Sequence, residues 1–355
     1  MSVDTPRIGI TMMLGDRGID PVELAVAVEE RGFESLWLPE HSHIPVSRET
    51  PWPGSLTGEP LPEIYARLLD LTVALSMAAA VTERIRLGTS VLLLAAHDVL
   101  WTAKEYATLD ALSGGRVEFG VGFGWNREEL ANHGVSFPDR WAATEEAVAA
   151  VRSVWRDDEA EFSGDHVAFT RSWAWPKPVA PAGPRVHVGG GAGPRVLDHV
   201  ARWADGWMPI SARPSLAGRL SRLDEACERA ERSRSEIEVS VFGATNDPAG
   251  LSNRFDEGIH RAVLTLDSDD RDDVLRQLDD WAPLLETWLG EATERMLDLA
   301  GATAGSRVLD VAAGAGGQSV AAGRRVGPTG TVLATDLSPA ILDHAQRAAT
   351  MAGLT

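Results

Sequence analysis

The chain has 355 residues, 52 acidic against 33 basic, and a formal net charge of −19. A field of that sign repels phosphate backbones and anionic lipid, so nucleic acid and membrane surfaces are excluded as partners. Cys227 is the only cysteine, which rules out an intrachain disulfide or a cysteine zinc cluster and fits a reducing, cytoplasmic setting.

The opening residues, Met1–Arg7, are polar and lead into a strand at Ile8–Met12 with no signal-peptide pattern. Val22–Arg31 reads as a helix, with Asp20 as cap, Pro21 in its first turn and Gly32 at its end. Ser35–Leu38 is the next strand, and a Pro- and Gly-rich loop follows from His41 to Pro62. Leu68–Val81 is helical, Ile85–Leu94 a third strand, Val99–Leu112 a helix and Val117–Val121 a fourth strand. The fourth strand runs into alternating glycines, Gly120, Gly122 and Gly124, which bare the backbone where a flat ligand can approach.

A helix at Trp141–Trp155 precedes an excursion at Glu161–Thr170, closed by the Pro-rich segment Pro176–Pro184. Strands at Arg185–Val188, Gly206–Ile210, Ile237–Phe242 and Arg261–Leu266 then alternate with helices at Arg195–Trp203, Leu216–Ser233 and Arg271–Leu285. Eight strand–helix repeats over residues 1–285 predict an α/β fold, a (β/α)8 TIM barrel, with a doubly wound open sheet as the alternative. Beyond a seam at Glu286–Trp288, residues 286–355 give a second, smaller unit: helix Trp288–Leu299, strand Arg307–Val311, a Gly-rich turn, helix Gln318–Arg325, strand Thr331–Ala334 and helix Pro339–Ala352.

Four stretches carry a resemblance in order and spacing: Leu87-Gly-Thr-Ser-Val-Leu, Leu109-Asp-Ala-Leu-Ser-Gly-Gly-Arg with Gly120-Val-Gly-Phe-Gly-Trp, Pro176-Lys-Pro-Val with Val186-His-Val-Gly-Gly-Gly, and Ala204-Asp-Gly-Trp. Together they resemble the luciferase-like flavin and deazaflavin oxidoreductases. The arrangement is most similar to the branch that uses the deazaflavin coenzyme F-420, with FMN as the alternative cofactor. The resemblance implies hydride transfer to or from a small organic substrate, or monooxygenation if the cofactor is FMN. It makes His41, just past the second strand, a general acid/base, and Glu40 its partner or a cofactor contact. It places a cis peptide at Ser90-Val91 behind the cofactor ring, lets the ring approach at Gly122 and Gly124, and assigns the cofactor phosphate to Gly189, Gly190 and Gly191, with Arg195 adding charge. Where related glucose-6-phosphate dehydrogenases carry a glutamate, this chain has Trp125, which favours a more apolar substrate. Trp52, Trp101, Trp173 and Trp175 lie in or beside segments able to line such a pocket. No metal enters this scheme, and a second copy of the chain is an optional partner.

Val308-Leu-Asp-Val-Ala-Ala-Gly-Ala-Gly-Gly, with Ala334-Thr-Asp-Leu-Ser-Pro, resembles the first part of class I S-adenosylmethionine methyltransferases. Asp310, Gly314, Gly316 and Asp336 would be its vestigial S-adenosylmethionine residues. The unit spans only two strand–helix repeats and lacks a region for a methyl acceptor, so methyl transfer is not expected of it.

Overall fold

The computed structural model describes residues 7–55, 58–211, 216–314, 316–336 and 339–354. Eight parallel strands close into a barrel, which excludes the open sheet. They are β1 (Arg7–Thr11), β2 (Ser35–Leu38), β3 (Arg86–Thr89) and β4 (Val117–Val121); then, after an antiparallel hairpin of β5 (Ala160–Ser163) and β6 (Ala168–Ser172), β7 (Arg185–Gly189), β8 (Gly206–Met208), β9 (Glu238–Phe242) and β10 (Arg261–Thr265). Closure comes from β1 pairing with β10, Arg7 opposite Arg261 through Thr11 opposite Thr265.

The helices α1 (Pro21–Glu30), α2 (Leu71–Val81), α3 (Val99–Ser113), α5 (Arg140–Arg156), α6 (Pro194–Trp203), α7 (Leu216–Arg229) and α9 (Arg271–Trp281) follow the expected alternation. The acidity of the chain serves their ends. Asp20, Asp70, Asp98 and Asp270 each accept backbone N–H groups of a first turn, bonds a helix cannot make internally. Two short helices escape the sequence pattern, α4 (Arg127–Asn132) and α8 (Pro248–Asp256). Strand β3 stops at Thr89, short of the expected Leu94, and Leu94–Ala96 form a 3-10 turn. The expected helix Arg271–Leu285 is interrupted: α9 ends at Trp281 and α10 (Pro283–Leu299) starts at a proline, which has no N–H to continue the bonding. The expected seam at 286–288 therefore falls inside α10. Leu284 belongs to the barrel core, and Leu297 to a small separate core with Ala302 and Ala322. That second core carries β11 (Arg307–Val311) parallel to β12 (Thr331–Thr335), with α11 (Gly317–Val326) and α12 (Pro339–Met351).

Large side chains fill the barrel axis. At its lower end Arg261, 0% exposed, donates to Glu34 at 2.8 Å, to Glu238 Oε1 at 2.6 Å and to Glu118 Oε1 at 3.3 Å. The other Glu118 oxygen meets His187 Nε2 at 2.5 Å, and Arg86 closes on the same carboxylate. Above Arg261 lies Trp37, its indole N–H donating to Ser35 Oγ at 2.8 Å. Such bulk fits only because glycines face it: a Cβ at Gly88 would overlap the Trp37 ring, and one at Gly206 would overlap His187. Gly88→Ala is expected to lower stability by about 1–3 kcal/mol through overpacking, read as a fall in the urea midpoint at unchanged slope.

The Glu118 carboxyl resists the pull of burial toward its neutral form. His187, Arg261 and Arg86 outweigh burial and hold its pKa far below the ordinary 4.5. A depressed carboxyl pKa stabilises the fold above the unfolded value and loses that contribution as the pH falls toward the folded value. The urea midpoint is therefore expected to drop as the pH falls below 4.5. Glu118→Gln, which strands buried cations, should cost about 3–5 kcal/mol at neutral pH and flatten the acid limb of that curve.

Candidate active site

Three neighbouring strand exits build the upper rim of the barrel. Beyond β2 come Glu40 and His41. Beyond β3 the Ser90–Val91 peptide bond is cis, as the resemblance implies. The backbone there is tied to both neighbours: Ser90 N–H donates to Leu38 O at 2.8 Å, and Leu92 N–H to Gly120 O at 2.9 Å. The Val91 side chain is directed over β4 and β7, where a Cβ at Gly122 or at Gly189 would overlap it. The space at Gly122 is thus filled by Val91 instead of being open to a ring, which corrects the expected reason for that glycine. Gly124, at φ +71°, forms the following turn, where a Cβ would stand 3.0 Å from Leu130. Val91 and Phe242 pack on Trp37, Met208 and Val263, giving the rim an apolar floor.

The His41 side chain is 7% exposed, with Nδ1 2.7 Å from Glu129 Oε2. The Trp125 indole lies 3.3 Å from His41 Nε2. An indole N–H only donates, so Nε2 is the accepting nitrogen, and Nδ1 carries the proton given to Glu129. Glu129 is 1% exposed, and its second oxygen accepts the Ser42 N–H at 3.1 Å. It stands in the first turn of α4, whose cap Asn126 accepts the Glu129 N–H at 3.4 Å. Tyr65 and Trp125 lie 5.5 and 5.6 Å from the His41 ring, and Trp52 lies 5.7 Å from Tyr65. Nearby Glu128 accepts from Thr50 Oγ1 at 2.6 Å and from the Glu49 and Thr50 N–H groups, which fastens the long loop to α4 and lowers the Glu128 pKa to about 2.

Glu40 is not the partner of His41. Its carboxylate turns to the other side, accepting the Leu93 N–H at 2.7 Å and meeting His97 Nε2 at 2.6 Å. Burial disfavours charge on His97, but the hydrogen bond and charge of Glu40 prevail and raise its pKa. Of the tryptophans, Trp52 stands by the rim, whereas Trp101, Trp173 and Trp175 are 68%, 76% and 54% exposed, Trp101 on α3 and the other two just after β6. Gly190, Gly191 and Arg195 flank the start of α6, which no side chain caps. A Cβ at Gly191 or Gly193 would meet nothing within 4 Å. Open backbone at an uncapped helix start, beside an exposed arginine, suits an anionic group.

Asp310, Gly314, Gly316 and Asp336 also come together, but in the C-terminal unit. Asp336 Oδ2 accepts the Gly314 N–H at 3.0 Å, and Asp310 accepts Ser319 Oγ–H at 2.6 Å. Gly316 is the N-cap of α11, at φ +94°. Among the described residues no helix is long and apolar enough to cross a membrane.

Residues 12–245 match the luciferase-like monooxygenase family. The chain belongs to that family. Family members are oxidoreductases, among them F-420-dependent dehydrogenases and monooxygenases. An uncharacterized protein of Mycobacterium tuberculosis is 45% identical over 200 residues, 56% of this chain and 71% of that protein. The F-420-dependent glucose-6-phosphate dehydrogenase of Amycolatopsis mediterranei is 28% identical over 232 residues, 62% of this chain and 63% of its own length. In fold, the luciferase-like barrel matches an F-420-dependent secondary alcohol dehydrogenase in complex with an F-420-acetone adduct, with a TM-score of 0.63, 18% identity and coverage of 79% of this chain and 99% of that one.

Glu129 and His97 were not singled out in the sequence. Asn126-Arg-Glu-Glu129 carries the spacing of a helix start, a cap with a carboxylate three residues on, and that was the available signal. Histidine 15N NMR is expected to find His41 protonated at Nδ1 and bare at Nε2, and Glu129→Ala to lose that preference. A proton at Nε2 in the wild type would contradict the arrangement.

Proposed function

We propose that the chain is a deazaflavin-dependent oxidoreductase, using coenzyme F-420 to move hydride between the cofactor and a small, apolar organic substrate. The observation that carries this is His41 at the rim, its tautomer set by Glu129 and its accepting nitrogen turned to Trp125. The bound deazaflavin supplies or accepts the hydride at its ring carbon. His41 Nε2 takes a proton from the substrate heteroatom next to the reacting carbon, or returns it in the reverse direction. Glu129 offsets the charge of the imidazolium that results. The Trp125 N–H, released from His41 as substrate enters, donates to the same heteroatom. Trp52, Tyr65 and Trp125 exclude water and favour apolar substituents. Val91, seated over Gly122 and Gly189, would back the ring, and Gly190, Gly191 and Arg195 would hold its phosphate. Trp125 in place of a carboxylate speaks against a sugar phosphate as substrate.

FMN is the second candidate cofactor, since luciferase-like barrels include an FMN-bound Baeyer-Villiger monooxygenase, with a TM-score of 0.52 to this chain. No activity with S-adenosylmethionine is proposed for the C-terminal unit.

Fluorescence titration with coenzyme F-420, FMN and S-adenosylmethionine tests the assignment: F-420 is expected to bind most tightly, and tight retention of FMN alone would replace it with the monooxygenase. His41→Ala should keep the cofactor affinity while turnover falls by about 10²–10⁴-fold; unchanged turnover would remove His41 from the reaction.

A further inference from the structure

Glu129 must hold still to fix the proton on His41, yet it stands on α4, a helix of six residues. So short a helix gains little from its own hydrogen bonds, and fastenings from outside have to supply the rigidity. One is Glu128 against Thr50 and the Glu49 N–H. The second lies at the other end of α4 and is built around two histidines. Ser42 Oγ lies 2.9 Å from His43 Nδ1 and 2.7 Å from His133 Nε2, and Asn132 Nδ2 lies 2.8 Å from His43 Nε2. The two imidazoles meet edge to face, 5.5 Å between centroids. Asn132 is the last residue of α4 and His133 follows it, while Ser42 and His43 follow His41 beyond β2.

The hydrogen bonds of this group run one way. The Asn132 Nδ2 group only donates, so His43 Nε2 accepts. A neutral His43 then carries its proton on Nδ1 and donates it to Ser42 Oγ. The Ser42 hydroxyl is left to donate to His133 Nε2. Ser42, Asn132 and His133 are exposed, and bonds at a surface add little stability because water replaces them. Their place in the fold gives them a different use. The Ser42 N–H donates to Glu129 Oε1 at 3.1 Å, and Glu129 Oε2 meets His41 Nδ1 at 2.7 Å. One carboxylate thus grips two consecutive residues, and the row of side chains closes that grip from outside.

We infer that Ser42 and His133 are positioning residues for the reaction: their hydrogen bond, backed by His43 and Asn132, keeps the Ser42 N–H on Glu129 and so keeps Glu129 aimed at His41. The inference rests on the acid/base role proposed above for His41. A carboxylate held through one oxygen alone turns about its last carbon–carbon bond. The His41 ring then loses its fixed tautomer, and Nε2 is no longer kept bare to take a proton.

The test combines 15N NMR of the histidines with the kinetics of F-420 reduction by small apolar alcohols, on the full chain. Ser42→Ala and His133→Ala change exposed side chains, and a thermal melt checks each fold. In both variants His41 is expected to lose its single Nδ1-protonated form, and kcat to fall by about 10–10²-fold at unchanged KM and F-420 affinity. The double variant should be no worse than either single one, since hydroxyl and imidazole act as a pair. His133→Gln, whose side-chain carbonyl accepts the same O–H, should restore both readouts. A His41 tautomer preserved in Ser42→Ala and His133→Ala would overturn the proposal and leave the row as a brace for the loop. A wild type that binds no F-420 would overturn the redox function instead, and the His41 tautomer, read without cofactor, would still decide the proposal.

Discussion

Arg261 lies beneath Trp37 on the barrel axis, its guanidinium 5.2 Å from the indole centroid, and Trp37 carries Met208, Phe242 and Val91 above it. An arginine so deeply buried stays charged because Glu34, Glu118 and Glu238 surround it, and their attraction outweighs burial and raises its pKa. Arg261, Trp37 and Met208 fill the axis inside the strands. In the proposed function the ligand lies across the upper rim. The apolar shelf there is the top of the column, and its height is fixed from below by the ion pairs.

The rim divides its tasks among adjacent strand exits. The exit of β2 supplies two polar side chains, and the fold sends them apart. Glu40 fastens the turn beyond β3 through Leu93 and His97, while His41 is held between Glu129 and Trp125. The exit of β4 supplies both Trp125 and, one short helix on, Glu129. A single segment thus sets the donor and the acceptor around one imidazole. Glycines contribute mainly by absence: Gly122 and Gly189 leave the volume Val91 occupies.

The repeating architecture was legible because each barrel strand is a short apolar run between capped amphipathic helices, a local signal. His41 and the Ser90–Val91 pair were legible through the resemblance, since neither residue type alone marks a site. Glu129 was not, because α4 has six residues, too few to show a helical period. The pairing of Glu40 with His97 spans 57 positions, so adjacency favoured the wrong histidine. Trp101, Trp173 and Trp175 illustrate the opposite error: aromatic composition suggests a pocket, but which face each side chain takes is decided by tertiary packing.

A crystal structure of the protein soaked with coenzyme F-420 tests the central claim most directly. Ring density lying on Val91 at the rim, with His41 Nε2 facing the open side, is the predicted result. A ring located inside the barrel, or bound only to the glycine turn of the C-terminal unit, would contradict it.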